Sequence, residues 1–536
     1  MRVLTSQREE RWSRVRFALP RVAQEAAQAA TRTVGRAVGR AEWRTLAERG
    51  GFTAVATATG LVAALVAVAV AGPWSGGQRV AERSFAAGRP AAAPAPPGRR
   101  TPAVPPAPAV LAGLGPGAAV TTQAAAPGPT GSGLTDALSP LFDDSALGKH
   151  STGAVLDATT GALLYGHDAA GASAPASTTK IATAVAALES RGADYRIPTV
   201  VVPGRAKGSV VLVGGGDPTL TAAPTPAGAD PDATPASLAT LADRTVRALH
   251  DRGTRHVTLS YDTSRFTGPL LHPIGVNDNL AAVTALMADE GRTDPNSTED
   301  APRYADPAKS AAETFAKLLD VRGVTVTAVR PGTAPAGREA QLAEVDSMPL
   351  SALVERMLTN SDNDIAEALG RQAAIATGKP VTFTGAGQAV RSVLTKLGMP
   401  MAGTAFHDGS GLDREDRLTP DLLARLLLTA GRPGHPELRP VLSGLPVAGF
   451  TGTLSDRFQS AEDTGAKAGG DPSGAAGLVR AKTGTLTGVN TLAGTVVDAD
   501  GRLLDFAFMT SGTTDADAAM AALDRLASAV TNCGCR

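Results

Sequence analysis

The sequence predicts an α/β domain of the α+β kind: a five-stranded antiparallel sheet assembled from both ends of the domain, with helices between. Three observations predict it. Residues 152–168, "TGAVLDATTGALLYGHD", hold two strand-like runs joined by a glycine-containing turn at Thr159 to Gly161. Near the other end, "LVRAKTGTL", "VNTLAGTVVD" and "LLDFAFMTS" give three more runs, with Asp500-Gly501 marking a tight hairpin between the last two. Between them lie segments such as 181–188, where Ile181, Ala184, Val185 and Leu188 recur at the spacing of one helix face.

Taken in order, the chain starts with segments that build no core. Residues 1–51 are Arg-rich, and Arg32, Arg36, Arg40, Arg44 and Arg49 precede residues 52–71, "FTAVATATGLVAALVAVAVA", an uncharged apolar run. About 20 such residues cross a bilayer, and the flanking arginines would keep the N-terminus cytoplasmic and send the remainder outside. Cleavage near Ala69 or Ala71, giving a secreted chain, is the competing reading. Residues 72–135 are too rich in Ala, Pro and Gly to bury a core and read as a linker. The globular part then divides into 136–199, an inserted β-rich region at 200–345 with strand signals in "GSVVLVGGGDPTL" and "HVTLSYDTSRF", and 346–530. Residues 531–536 read as an exposed tail; Cys533 and Cys535 there lack companion ligands for zinc, and the alternative is that an exported chain oxidises them to each other or to a partner. The 51 basic residues balance 51 acidic ones, which argues against a nucleic-acid partner.

Chemistry is concentrated in three short motifs. In "SAPASTTKIATAVAAL" (173–188), Ser177 and Lys180 stand three apart at a helix start, so their side chains are neighbours facing the buried stripe. Either Ser177 merely caps the helix while Lys180 reaches solvent, or the pair is a nucleophile and its base, because desolvation lowers the pKa of an amine. In "PLSALVERMLTNSDNDIAEALGRQ", one helical pattern stops at Asn360 and another begins near Asp364; Ser361-Asp362-Asn363 connects them. Those residues either cap helices or supply a proton-relaying hydroxyl and a substrate-gripping amide. Lys482-Thr483-Gly484-Thr485 on an edge strand suits a carboxylate, with Gly484 admitting a close backbone. The similar "FTGTL" at 450–454 has Phe450 where that motif has its lysine, so it lacks the charge.

Ser-x-x-Lys, Ser-x-Asn and Lys-Thr-Gly in that order are the signature set of serine β-lactamases and penicillin-binding proteins. The chain resembles that superfamily and, more narrowly, the low-molecular-mass D-alanyl-D-alanine carboxypeptidase/endopeptidase group, peptidase family S13. "PASTTK", "GGGDPTL", "DGSGLDREDRLTP" and "LPVAGFTGTL" support the narrower likeness, which spans about 136–530. The resemblance implies a serine β-lactamase/transpeptidase-like fold. It implies a serine carboxypeptidase acting on peptidoglycan stem peptides through an acyl-enzyme, with β-lactams as covalent inhibitors and no cofactor or metal. Ser177 would attack the penultimate D-Ala carbonyl with Lys180 as base. Ser361 would pass the proton to the leaving amine, Asn363 would orient the acyl amide, and Lys482, Thr483 and Thr485 would hold the terminal carboxylate. Repulsion from Lys482 would help keep Lys180 uncharged.

Three other readings stand beside this one. A β-lactamase needs a base for deacylation, and Glu367 and Glu415 are the candidates by elimination. A Ser-His-Asp hydrolase is suggested by "FHDGSGL" at 406–412, although Asp408 replaces the first glycine of a G-x-S-x-G elbow around Ser410. A non-catalytic cell-wall binding module is the third.

Overall fold

The structure, a computed structural model, describes residues 128–275, 277–297, 300–335, 341–459 and 472–534. The Arg-rich segment, the apolar run at 52–71 and nearly all of the linker lie outside the described residues. Among the described residues, no helix is long and apolar enough to cross a membrane.

The strands are β1 (His150–Asp157), β2 (Leu163–His167), β3 (Pro198–Pro203), β4 (Ser209–Val213), β5 (His256–Asp262), β6 (Thr325–Pro331), β7 (Ala343–Asp346), β8 (Arg480–Leu486), β9 (Val489–Val497) and β10 (Leu503–Ser511). The longer helices are α1 (Gly131–Phe142), α2 (Thr179–Arg191), α3 (Leu238–His250), α4 (Pro307–Asp320), α5 (Leu350–Asn360), α6 (Asn363–Thr377), α7 (Phe383–Lys396), α8 (Pro420–Gly431) and α9 (Ala516–Thr531).

The first sheet runs β2-β1-β10-β9-β8, every pair antiparallel, so strands from the two ends of the domain do meet. Its central strands read as continuous apolar runs because both faces are covered. Ala493, Ala507 and Met509 pack under α2, α5, α6 and α8. Their strand neighbours Leu492, Phe506 and Phe508 point the other way, against Leu134 and Leu138 of α1 and Leu523 and Leu526 of α9. Strand β8 is an outer strand of this sheet, its first residue Arg480 bridged to Val447 on the far side from β9. The tail departs from expectation in its burial: α9 carries Cys533 back onto the sheet and into that second core, and of the readings left open for this cysteine the disulfide-bonded one holds.

The inserted region is not simply β-rich. Its sheet, β6-β5-β4-β3-β7, joins β4 to β5 and β5 to β6 in parallel, and parallel neighbours need crossovers. Helices α3 and α4 are those crossovers, burying Leu238, Leu241, Leu249, Phe315 and Leu319 against Leu212 and Leu259. The i, i+3, i+4, i+7 spacing of Leu238, Leu241, Ala242 and Thr245, behind the capping Ser237, was a legible helix signal. Phe266, Leu280, Val283 and Ala285, from the stretch between β5 and α4, leave this layer and pack around Phe383 of α7 instead. That excursion brings the insertion to the site.

Candidate active site

Ser177 sits just before α2, in the 3₁₀ turn Ala176–Thr178. Ala176 has φ +47°, a left-handed conformation that costs an L-residue about 1–2 kcal/mol. The surroundings enforce it. Thr178 and Thr491 hydroxyls both donate to the Pro175 carbonyl, at 2.7 and 2.8 Å. A Cβ on Gly484 would lie 2.7 Å from that same oxygen, and one on Gly411 would lie 1.9 Å from the Ala176 carbonyl. Two glycines therefore clamp the turn. The N-cap of α2, Thr178, makes no side-chain cap bond, so the turn is not held by capping.

Lys180 is fully buried, and its ammonium donates to Ser177 Oγ at 2.8 Å, Asn363 Oδ1 at 2.7 Å and the Ser410 carbonyl at 2.9 Å. Burial lowers its pKa to about 8, against the attraction of Asp408, Asp362 and Glu367. About a tenth of it is then neutral at pH 7. Repulsion between the two lysines falls on Lys482, which burial first and Lys180 second push well below the usual lysine value.

Helix α5 ends with Ser361 in the left-handed region at φ +59°, and Asp362 caps α6 by accepting from the Ile365 N–H at 2.9 Å. This abrupt turn puts Asn363, the first residue of α6, against Lys180. Its amide Nδ2 donates to the Asn279 carbonyl at 3.0 Å, so a backbone group of the insertion fixes which end of the amide faces the lysine. Ser361 itself forms no hydrogen bond with Ser177 or Lys180 in this state; Asn363 takes the lysine instead.

On β8, Lys482 is buried and donates to the Thr483 carbonyl at 2.9 Å. Thr483 donates to Thr453 at 2.8 Å, while Thr485 is exposed at the sheet edge. Thr453 belongs to the "FTGTL" segment, which lacks the lysine yet borders the site through a 3₁₀ turn at Gly452–Leu454. Its placement depends on Gly452, whose φ of +53° and close approach to the Thr359 carbonyl admit no side chain.

The turn at 408–411 is a support for Lys180, not a hydrolase elbow. Asp408 accepts from the Ser410, Gly411 and Asp413 N–H groups at 3.0, 2.6 and 2.8 Å, and from the Ser410 hydroxyl at 3.2 Å. Ser410 is wholly buried with its hydroxyl turned to Asp408, and it meets Lys180 through its backbone carbonyl. Glu367 holds the same turn: one carboxylate oxygen accepts from the Gly409 and Ser410 N–H groups, and the other binds Arg371 at 2.8 Å. Glu415 is exposed. Neither glutamate is a free base beside Ser177. His272, Glu367 and Asp408 lie within 4.8 Å of one another, but these donors already occupy the carboxylates, so the cluster is a hydrogen-bond node and not an open metal site.

Known proteins resemble this chain over most of its length. A model of the D-Ala-D-Ala carboxypeptidase 3 (S13) family matches residues 134–303 and 293–530. A carboxypeptidase of Mycobacterium tuberculosis is 39% identical over 448 residues, covering 82% of this chain and 91% of that protein. Carboxypeptidase DacB of Mycolicibacterium smegmatis is 38% identical, covering 81% and 91%. In fold, penicillin binding protein 4 of Haemophilus influenzae superposes with a TM-score of 0.57 at 21% identity, over 74% of this chain and 97% of its own. With a serine, a buried lysine, an asparagine and an edge-strand lysine gathered from segments up to 305 residues apart, and a family model matched over nearly the whole described domain, the chain belongs to the D-Ala-D-Ala carboxypeptidase 3 (S13) family.

Proposed function

We propose that this chain is a serine D-Ala-D-Ala carboxypeptidase acting on peptidoglycan stem peptides, and that the three motifs take the roles their chemistry suggests. The observation that carries the assignment is the 2.8 Å contact between Ser177 Oγ and the buried Lys180 amine. Neutral Lys180 accepts the Ser177 proton as Oγ attacks the penultimate D-Ala carbonyl. The C–N bond then breaks, the nitrogen takes a proton by way of the Ser361 hydroxyl, and D-Ala leaves. Water cleaves the resulting ester and restores Ser177. Lys482, with Thr483 and Thr485, receives the terminal carboxylate; Asn363 orients the acyl amide; backbone N–H groups of Ser177 and Thr485 face the developing oxyanion.

Support for a peptidase over a β-lactamase comes from Glu367 and Glu415, the first locked in the 408–411 turn and the second in solvent. Relatives named carboxypeptidases support it too, including a D-alanyl-D-alanine carboxypeptidase of Actinomadura at 30% identity over 69% of this chain and 79% of its own. The test is D-Ala release from a D-Ala-D-Ala peptide. Ser177→Ala abolishes it and Ser410→Ala leaves it within a few-fold of the parent; equal loss from both would return the hydrolase-triad reading.

The same proposal places the domain outside the cytoplasmic membrane, held by residues 52–71, with the linker up to the start of α1 at Gly131 as a tether. Membrane fractionation tests it: the full chain pellets with membranes and a chain starting at residue 73 does not.

A further inference from the structure

Among the described buried titratable groups that the reaction does not use, His272 stands out. It lies in the excursion of the insertion, yet it is as buried as the core, with 3% of its surface exposed. Its Nδ1 accepts the Ile274 N–H at 3.2 Å, which leaves Nε2 as the protonated nitrogen donating to Asp408 Oδ2 at 2.9 Å. The Phe383 ring of α7 stands edge-on to it at 5.0 Å.

We infer that His272 is a positioning residue for Lys180: through Asp408 it fixes the 408–411 turn whose Ser410 carbonyl holds the lysine amine beside Ser177. The inference rests on the acyl-enzyme reading above. The path is continuous. His272 donates to Asp408, Asp408 and Glu367 gather the turn's N–H groups, the Gly409 carbonyl accepts from Thr183 of α2 at 2.6 Å, and the Ser410 carbonyl accepts from Lys180 one turn away. A donor from the insertion thus sets where a catalytic amine sits in the sheet-and-helix domain.

The charged groups facing each end define what deletion does. Around His272 stand Asp408 and Asp413 of the turn and Glu367 of α6, with Arg371 of α6 stacked beyond Phe383 at 4.2 Å. Burial pushes the imidazole down, and the Asp408 bond with the charges of Asp408, Glu367 and Asp413 lifts it above its ordinary value. Around Lys180 stand Asp408, Asp362, Glu367 and Lys482. Removing the imidazole leaves the Asp408 carboxylate less compensated, so its field on Lys180 grows and the amine holds its proton to higher pH.

The experiment measures the second-order rate of Ser177 acylation by benzylpenicillin between pH 6 and 9, alongside the melting temperature, in four full-length chains: parent, His272→Leu, His272→Gln and His272→Asn. His272→Leu is expected to slow acylation at pH 7 about tenfold and to move the midpoint up by about half a unit. His272→Gln, whose amide nitrogen reaches the place of Nε2, keeps the rate within about twofold, and the shorter His272→Asn does not. Should His272→Leu fail to fold, the Gln-against-Asn contrast decides. Equal rates and midpoints in Gln and Asn overturn the inference, as does an unshifted profile in a folded His272→Leu. A parent chain that is not acylated at Ser177 overturns the acyl-enzyme reading and this inference with it.

Discussion

Titrating Lys180 tests the source of its reactivity. The amine is buried with three acceptors and its pKa is brought down to about 8 by desolvation. Only the neutral form can take the Ser177 proton, and that form amounts to about 1% at pH 6, about 10% at pH 7 and about half at pH 8. Acylation by a fluorescent penicillin, followed by stopped flow at fixed ionic strength, should therefore quicken about 50-fold from pH 6 to pH 8 and level off above pH 9. The sign of the local field supplies a control. Asp362 is one of three carboxylates that hold the proton on Lys180, so Asp362→Asn should move the midpoint down. A profile flat between pH 6 and 8, or a midpoint that rises in Asp362→Asn, would refute the reasoning.

Other consequences are equally concrete. Gly484→Ala sets a Cβ 2.7 Å from the Pro175 carbonyl, a backbone atom with nowhere to go; a loss of about 1–3 kcal/mol in unfolding free energy, with at least about tenfold slower acylation, is expected from denaturation and penicillin binding. Thr491→Val removes the hydroxyl that tethers β9 to the turn before Ser177, costing about 1 kcal/mol in thermal unfolding and slowing acylation without moving its pH midpoint. Lys482→Gln takes away the amine whose protonated form the substrate carboxylate would stabilise. Its kcat/KM for a D-Ala-D-Ala peptide should fall about 10- to 100-fold, charge-assisted bonds being about 1.5–3 kcal/mol, while a C-terminally amidated peptide is processed alike by both chains.

The three motifs were legible because each is local. Ser177 and Lys180 are neighbours on one turn, Ser361 to Asn363 join two helices whose periodicity breaks there, and Lys482 to Thr485 lie in one strand. The strands of the first sheet were legible as well, since both ends of the domain carry strand-length apolar runs with a hairpin signal. What could not be read is what the motifs lean on. The Ser410 carbonyl lies 230 residues from Lys180, Asn363 lies 183 away, and His272 is 136 from Asp408. A backbone carbonyl leaves no mark in a sequence, and a buried histidine looks like any other. Thr453 shows a different gap. Its segment was discounted for lacking a lysine, yet it contributes a hydroxyl beside Thr483, a role that needs no charge. The helices of the insertion are the harder case: the apolar runs of β4 and β5 stand out more strongly than the helical spacing at Leu238 to Leu249.

The central claim is that a buried amine primes the hydroxyl of Ser177. Intact-mass spectrometry with peptide mapping after benzylpenicillin reads it out directly. One penicilloyl group per chain, on the peptide holding Ser177 and lost in both Ser177→Ala and Lys180→Met, is the predicted result; an adduct on another residue, or one that persists in folded Lys180→Met at the parent's rate, would contradict it.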